Sequence, residues 1–382
     1  MDSRELCYAI ASASAAALIY IYYGYYALLK LIAWRKSAAS AAIPNPPPTI
    51  TVLVTAHNEE AVIGDRIANI LECDYRLDRL EVIVASDGST DRTDSIVRGH
   101  PSPQVRLFRP EARSGKSDTQ NQAVKSAMGE IVLFTDAGTR FAKGFLQEIV
   151  RPFADPGVGG VDGHLTFQPF GTGHLVAEAQ GYYWRQELMI RSFESVLGIL
   201  AVSAGACLAV RKNLLCRIPS TVGEDCTIPL DVVRAGYRMV HQPTALAFDT
   251  IESTNAAEFK SRARMTLRNL QGTLMYPDLL NPFKHPGISW ALWSHKLLRW
   301  CSPLFLVAWV SSSFSLLAVA GRWPVALPAI VFASCSLVLL LCPKLRDVRG
   351  LRTLWSFTVA NAGFAVGLTR ALTGKTITAY RN

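Results

Sequence analysis

Residues 130–139, Glu-Ile-Val-Leu-Phe-Thr-Asp-Ala-Gly-Thr, decide the fold of this chain. A short apolar run that ends abruptly in a carboxylate is typical of a buried strand in an α/β sheet. Such a strand brings Asp136 to the carboxyl edge of the sheet, where the ligands of open α/β sheets bind. A single carboxylate after a strand is also a common helix cap, so its meaning depends on what the other strand ends carry.

Three more strands are predicted before this one, and polar residues follow each of them. Because apolar strands alternate with helical segments, the sequence predicts a doubly wound, mostly parallel α/β sheet. The segment 57–60 (His-Asn-Glu-Glu) should open a helix, since acidic residues are favoured in a first turn. The strands and the polar segments after them are 49–56 with 57–60, 80–85 with Ser-Asp-Gly-Ser-Thr-Asp at 86–91, and 105–108 with Arg-Ser-Gly-Lys-Ser at 113–117.

The strand ends present Glu59, Asp87, Lys116 and Asp136. Carboxylates suit the N–H groups of a base, ribose hydroxyls and a divalent metal, and a lysine suits a phosphate. No Gly-x-Gly-x-x-Gly follows the first strand, and residues 115–117 lack the upstream glycine of a phosphate-binding P-loop. Ordinary dinucleotide and nucleoside-triphosphate sites are therefore disfavoured. The carboxylates and the lysine at the strand ends indicate a binding site for a nucleotide-sugar.

Four short motifs occur in order: Thr-Ala-His-Asn-Glu-Glu at 55–60, Ser-Asp-Gly-Ser-Thr-Asp at 86–91, Gly-Lys-x-x-x-x-Asn at 115–121 and Phe-Thr-Asp-Ala-Gly-Thr at 134–139. Over about residues 49–275 the chain thereby resembles the inverting family 2 glycosyltransferases of the GT-A fold. The helices outside this region are similar to those of membrane-embedded relatives such as hyaluronan, chitin, cellulose and poly-N-acetylglucosamine synthases. The resemblance implies an α/β GT-A domain flanked by transmembrane and interfacial helices.

The resemblance also implies roles for the residues at the strand ends. Glu59 and Asp87 would hold the uridine of a UDP-sugar, with Ala56 in the same donor site, and Lys116 would lie near the donor phosphates. Asp136 would bind the Mg²⁺ or Mn²⁺ ion that bridges the pyrophosphate.

The metal motif departs from the family at one position. The family motif is Asp-x-Asp, and Gly138 stands at the second carboxylate of this chain. We therefore expect the cation to depend on the pyrophosphate, water and one further group as well as on Asp136.

The second half of the domain carries the candidate acceptor residues. A general base must take the proton of the acceptor hydroxyl during an inverting transfer, and the resemblance assigns this role to Asp225; capping of the following helix is the alternative. Glu224 and the small residue Gly205 are expected to border the acceptor. Trp184 is a candidate to stack on a sugar ring, although most aromatic residues belong to a core.

The segment 260–272 has four basic residues at helical spacing, a pattern that also suits a solvated or lipid-facing helix. Its position matches the Gln-x-x-Arg-Trp motif of processive synthases, with Arg268 as the arginine, which is well shaped to clamp a pyrophosphate. Met265 replaces the glutamine and Asn269 the tryptophan. That tryptophan contributes to the acceptor site of the synthases, so its absence argues against assuming a long-chain product made processively.

The apolar residues are concentrated at the two ends of the chain. Apolar residues make up 50% of the sequence and the mean hydropathy is +0.20. Residues 8–29 contain no charge and are followed by Lys30, Arg35 and Lys36, so we expect a membrane span with residue 36 onward in the cytoplasm. A cleaved signal peptide is the alternative.

Residues 286–300 are expected to form a helix along the bilayer surface. Residues 303–320 and 325–342 are predicted spans, joined by a loop to 354–368, which is either a third span or a re-entrant segment. The predicted organisation is an amino-terminal transmembrane helix at 1–36, a linker at 37–48, a cytoplasmic GT-A domain at 49–285, an interfacial helix at 286–302 and a carboxyl-terminal membrane region at 303–382.

The net charge of +9 fits cytoplasmic flanks at an anionic membrane, and no basic helix with interleaved aromatics or zinc-finger spacing points to nucleic acid. The eight cysteines are scattered singly, as expected in a reducing compartment. The sequence therefore predicts a multi-pass inner-membrane glycosyltransferase that passes a sugar from a nucleotide-sugar to a lipid-linked or polysaccharide acceptor. A catalytically impaired scaffold subunit of a synthase is the alternative, while a transporter is disfavoured by the lack of intramembrane charge.

Overall fold

The computed structural model describes residues 2–36, 42–168, 174–250, 255–320 and 323–376, and its centre is an eight-stranded sheet. The spatial order of the strands is β3-β2-β1-β4-β7-β6-β8-β5. The strands are β1 (Ile50–Ala56), β2 (Leu80–Ser86), β3 (Val105–Phe108), β4 (Ile131–Asp136), β5 (Arg140–Phe141), β6 (Val158–Gln168), β7 (Leu208–Arg211) and β8 (Arg238–Thr250).

Strands β1 to β4 form the parallel half of the sheet, as predicted. Thr55 of β1 is paired with Asp136 of β4, and Ala56 with Ser86 of β2, so the carboxyl ends of these strands are level. The Asp87 N–H donates to the Ala56 carbonyl just beyond the strand ends. Beyond β4 the sheet is mixed, because β7 runs antiparallel to both β4 and β6.

Helices cover both faces of the sheet because alternate strand residues point to opposite sides. Val52 and Val54 pack with Ile67 on one face, and Leu53 packs with Phe134 on the other. Each fully buried side chain of this kind contributes about 1.5–3 kcal/mol. The helices of this domain are α3 (Ile63–Leu71), α4 (Thr93–Arg98), α5 (Lys116–Ser126), α6 (Phe145–Val150), α7 (His174–Leu197), α8 (Glu224–Arg234) and α9 (Asn255–Leu274).

The helix after β1 begins at Ile63, so the prediction that residues 57–60 open it was wrong. Asn58 has a φ of 58°, a left-handed conformation that asparagine tolerates and a helix does not. Residues after strand β2 hold this turn in place. The Asn58 N–H donates to Ser89 Oγ at 3.1 Å, and the Glu59 N–H donates to Thr93 Oγ1 at 2.8 Å. These contacts place the Glu59 side chain at the sheet edge.

The apolar ends of the chain are helical. Among the described residues, Ser3–Ala33 is the one helix that is long and apolar enough to cross a bilayer by itself. The helices Pro286–Trp300 and Ser302–Ala318 are bent by 57° relative to each other, and they provide a second span only if the bent pair crosses the bilayer as one unit. Ala326–Leu341 is apolar but shorter. The segments are α1 (Ser3–Ile19) and α2 (Tyr25–Ala33) joined by Tyr20–Gly24, α10 (Pro286–Ala291) and α11 (Leu298–Trp300) joined by Leu292–Leu297, then α12 (Ser302–Ala320), α13 (Trp323–Leu341) and α14 (Arg349–Leu372).

Helix α14 packs tightly against α9 of the sheet domain through two glycines one helical turn apart. A Cβ atom on Gly363 would lie 2.7 Å from Arg262 Cβ, and one on Gly367 would lie 2.6 Å from Thr266 Cβ. Only glycine lets the two backbones approach this closely. The apolar carboxyl-terminal region is therefore fixed to the helix that carries Arg268.

Candidate active site

Three element ends meet at the carboxyl edge of the parallel strands. Lys116, the first residue of α5, places its Nζ 2.7 Å from Asp136 Oδ1 at the end of β4 and 2.7 Å from Glu224 Oε1 at the start of α8. Glu224 is 3% exposed, whereas the Asp136 side chain is 43% exposed. The lysine therefore joins a buried carboxylate to one that faces solvent.

Asp87 fixes the start of α5. Its Oδ1 accepts the backbone N–H groups of Ser114 and Gly115 and the Thr119 hydroxyl, each at 3.0 Å. Gly115 precedes the helix with a φ of 86°, a conformation that favours glycine. The carboxylate thus orients the loop that delivers Lys116.

Glu224 and Asp225 occupy the first turn of α8, where the helix dipole favours negative charge. Gly205 packs directly against them, since a Cβ at position 205 would lie 2.8 Å from Glu224 Oε1 and 3.5 Å from Asp225 Cβ. The sequence placed Glu224 at the acceptor. The structure shows Glu224 in contact with Lys116, the residue predicted to lie near the donor phosphates, and its place at the acceptor stays a prediction.

The two neighbouring carboxylates have opposite pKa shifts. Burial by itself would raise the pKa of Glu224, but the Lys116 ammonium, through its charge and its hydrogen bond, holds that pKa below its usual value. Burial and, next, the negative charge of Glu224 raise the pKa of Asp225. A pair of carboxylates separated in this way provides one permanent charge and one group able to take up a proton.

Arg268 reaches the same carboxylate pair from α9. Its Nη2 lies 3.6 Å from the position of a Cβ on Gly223, the residue before Glu224. Its positive charge lowers the pKa of both Glu224 and Asp225, after the larger effects given above. Asn269, in place of the family's tryptophan, accepts a weak hydrogen bond from the Cys226 thiol at 3.3 Å.

Glu59 belongs to the solvent-facing side of the site. It is partly buried, and burial, then the charges of Asp136 and Asp91, raise its pKa. Ala56 contributes its carbonyl, which accepts the Asp87 N–H. The structure therefore gathers the predicted donor residues at one edge of the sheet.

Trp184 is engaged with the protein interior. Its indole N–H donates to the Leu165 carbonyl, its ring packs edge-on against Phe167 at 4.9 Å, and the Arg191 guanidinium lies over it at 5.2 Å. The structure does not show Trp184 in contact with Asp225. These contacts fit the aromatic-core alternative, and the stacking of Trp184 on a sugar stays a prediction.

Asp249 was missed by the sequence interpretation. It lies on β8, more than a hundred residues after the metal motif, yet its Oδ2 accepts the Thr139 hydroxyl at 3.4 Å. Only the antiparallel pairing of β5 with β8, which aligns Arg140 with Phe248, brings it there. No short-range pattern in the sequence carries that information.

The donor atoms at this edge are carboxylate oxygens, which are the ligands that Mg²⁺ and Mn²⁺ prefer. No group of three or more His, Cys, Asp or Glu side chains within the described ranges is arranged to hold a metal ion. The side chains present therefore suit a hard cation that takes further ligands from a bound phosphate. Lys116, 2.7 Å from Asp136, already supplies positive charge at this place.

Comparison with known proteins defines the class first. A family model described as "Glycosyltransferase like family 2" matches residues 46–267, and the chain belongs to this family. A mannosyltransferase from Pyrobaculum calidifontis, solved with GDP-Man and Mn2+, is 25% identical, covers 98% of this chain and 99% of its own, and has a TM-score of 0.74. The predicted GT-A fold is confirmed.

Two curated relatives are informative. An N-acetylglucosaminyltransferase from Sinorhizobium fredii is 26% identical over 85% of this chain and 81% of its own length. A beta-monoglucosyldiacylglycerol synthase from Synechocystis sp. is 37% identical over 30% of this chain and 25% of its own length. The chain covers less than two thirds of three further rhizobial N-acetylglucosaminyltransferases, at 61%, 59% and 64% of their lengths.

Proposed function

We propose that this glycosyltransferase moves a hexosyl or N-acetylhexosaminyl group from a UDP-sugar to a lipid-linked or polysaccharide acceptor with inversion at the anomeric carbon. The observation that carries the proposal is the convergence of Lys116, Asp136 and the Glu224–Asp225 pair at one edge of the sheet. Family membership and the nucleotide-sugar in the related mannosyltransferase support a nucleotide-sugar donor.

Asp225 is the proposed general base. The acceptor oxygen attacks the anomeric carbon while its proton passes to the Asp225 carboxylate, and the anomeric C–O bond breaks with its electron pair leaving on the nucleoside diphosphate. The raised pKa of Asp225 suits proton uptake. Glu224 stays ionised and keeps Lys116 charged beside the site of the departing phosphate.

The donor's phosphates would be held by Lys116 and Arg268, both of which lie at the Glu224–Asp225 pair. Arginine can bind two phosphate oxygens at once, and lysine acts as a point charge. Asp136 would hold Mg²⁺ or Mn²⁺, and this cation, when bound, neutralises charge on the leaving pyrophosphate. Glu59, Ala56 and the turn at Asp87 lie on the nucleoside side.

We also propose that the reaction takes place at the inner membrane, with residues 49–285 in the cytoplasm and the helices at 1–36 and 303–382 as multi-pass anchors. The apolar helix Ser3–Ala33 and the Lys- and Arg-rich flanks after it support this orientation. Anchoring keeps the site close to an acceptor that cannot leave the bilayer, which raises the acceptor's effective concentration.

A cavity of about 570 Å³ supports a lipid-linked acceptor. Its walls are mostly apolar and include Leu18, Trp309 and Phe364, and Glu258 and Arg262 of α9 contribute polar side chains to the lining. This volume is in the range of pockets that hold small organic ligands. Arg262 and Arg268 are six residues apart on α9, so Arg262 at the cavity lies about 9 Å along the helix axis from Arg268.

The decisive experiment uses the purified full chain in detergent with a panel of UDP- and GDP-sugars and Mn²⁺. Release of UDP from one UDP-sugar, abolished by Asp225→Asn, would support the proposal and identify the donor. Release of GDP alone would overturn the choice of nucleotide. Binding of nucleotide without turnover, with or without membrane lipid extract, would favour the scaffold alternative suggested by Gly138.

A further inference from the structure

The metal motif of this chain ends in a residue without a side chain, and the structure shows what lies beside it. Strand β4 delivers Asp136, and the chain then turns through Gly138 into β5. A Cβ atom built on Gly138 would lie 3.8 Å from Asp249 Oδ1, with no other heavy atom of another part of the described chain within 4 Å. An Asp249 oxygen therefore lies close to the space that a carboxylate at position 138 would enter.

The approach of Asp249 is built into the sheet. Arg140 and Phe141 of β5 are paired with Phe248 and Ala247 of β8, so Asp249 is the next residue of β8 toward the metal motif. The Thr139 hydroxyl donates to Asp249 Oδ2 at 3.4 Å, which leaves Oδ1 as the oxygen nearer to Gly138.

A buried arginine interacts with both carboxylates. Arg66 is fully buried and donates to Thr135 Oγ1 at 2.8 Å, directly before Asp136. Burial lowers the pKa of Arg66 to about 9, while the charges of Asp136 and Asp249 both oppose that effect. The two carboxylates thus act on one guanidinium, in agreement with their placement on either side of the turn.

We propose that Asp249 supplies the second metal-motif carboxylate from β8 and, with Asp136, binds the divalent cation that carries the donor's pyrophosphate. Only the part of the inference that concerns the donor's pyrophosphate rests on the proposed function. The pairing of the two carboxylates is a property of the fold. Two carboxylate ligands plus phosphate and water oxygens satisfy a six-coordinate Mg²⁺ or Mn²⁺ ion. The loss of the carboxylate at Gly138 is then compensated within the chain.

The test measures Mn²⁺ binding by electron paramagnetic resonance, with the full chain in detergent and either UDP or GDP present. Asp249→Asn should weaken Mn²⁺ binding at least about tenfold, whereas Asp78→Asn, on the exposed 3₁₀ turn Leu77–Arg79, should not change it. The double variant Gly138→Asp with Asp249→Asn returns a carboxylate to the motif and should restore most of the lost Mn²⁺ affinity. Binding of the nucleotide without Mn²⁺ should be equal in all variants.

Unchanged Mn²⁺ affinity in Asp249→Asn would overturn the inference. Loss that the double variant does not reverse, at an unchanged melting temperature, would also overturn it, because Asp249 would then do something other than supply the carboxylate. Since the readout is binding, it is independent of transfer. A protein that binds Mn²⁺ and nucleotide as expected but transfers no sugar would contradict the proposed function alone.

Discussion

Two clusters in this molecule pair acidic with basic side chains. They differ in how many basic side chains surround each carboxylate. At the junction of α7 with the helix Pro286–Trp300, the Glu187 carboxylate accepts from His295, Lys296 and Arg299, each at 2.9 Å, and pairs with Arg191 at 3.2 Å. Glu187 is 3% exposed. In the cluster at the candidate active site, one lysine is shared between Asp136 and Glu224, and Asp136 remains 43% exposed.

The difference indicates what each cluster is for. A buried carboxylate that pairs with one lysine and two arginines and accepts from a histidine joins elements and has no oxygen available to a substrate. The cluster at the candidate active site contains a carboxylate with a raised pKa and another that faces solvent, which is the arrangement expected where protons and ligands are exchanged.

Replacing the proposed base should have the largest effect. Asp225→Asn should lower the rate of transfer by about 10²–10⁴-fold because the amide cannot take the acceptor's proton. The melting temperature should not fall, since burial disfavours the charge that the substitution removes. Product formation by chromatography and a thermal melt provide the two readouts, and near-normal turnover would show that Asp225 is structural.

Breaking the junction should have the opposite profile. Glu187→Gln leaves several buried cations without their carboxylate and should cost about 3–5 kcal/mol of stability. Thermal unfolding in detergent measures the loss, with the exposed Glu111→Gln as a matched control. If Glu187→Gln instead lowered turnover without lowering the melting temperature, the two clusters would not differ in the way described.

Blocking the apolar cavity should lower transfer to the acceptor without affecting the reaction of the donor. Ala360→Trp places a large side chain in the cavity beside α14 and should lower the rate of transfer to a lipid acceptor about tenfold. A loss of this size is typical when a small amount of apolar contact with a substrate is removed. Release of nucleotide in the absence of acceptor should stay normal. Leu372→Trp, at an exposed position of the same helix, is the control, and an equal loss in both variants would remove the cavity from the acceptor route.

The smallest effect is expected from pH. The base form of Asp225 is deprotonated, and its pKa is raised by burial and Glu224, so turnover should fall as the pH is lowered toward that pKa, at higher pH than for an ordinary aspartate. Glu224, whose pKa is lowered, should stay charged over the same range. A kcat profile measured at saturating donor tests this, and a profile that rises on acidification would assign the proton transfer to another group.

The parallel half of the fold could be predicted from the sequence because its information is local. Each of the first four strands is a short apolar run followed by polar turn residues, and parallel pairing places those turns at one edge. The start of α3 was not predicted correctly, because the left-handed Asn58 depends on contacts with Ser89 and Thr93 from a later turn.

The sequence by itself predicted that Asp87, Lys116 and Asp136 share one edge of the sheet, since strand ends can be recognised over a few residues, and the family resemblance added Asp225 to that predicted site. Tertiary structure alone decided that Glu224 pairs with Lys116, that Trp184 packs against Phe167 and that Asp249 lies beside Gly138. These contacts join residues far apart in the chain. Their geometry depends on strand pairing and helix packing, which local sequence periodicity does not encode.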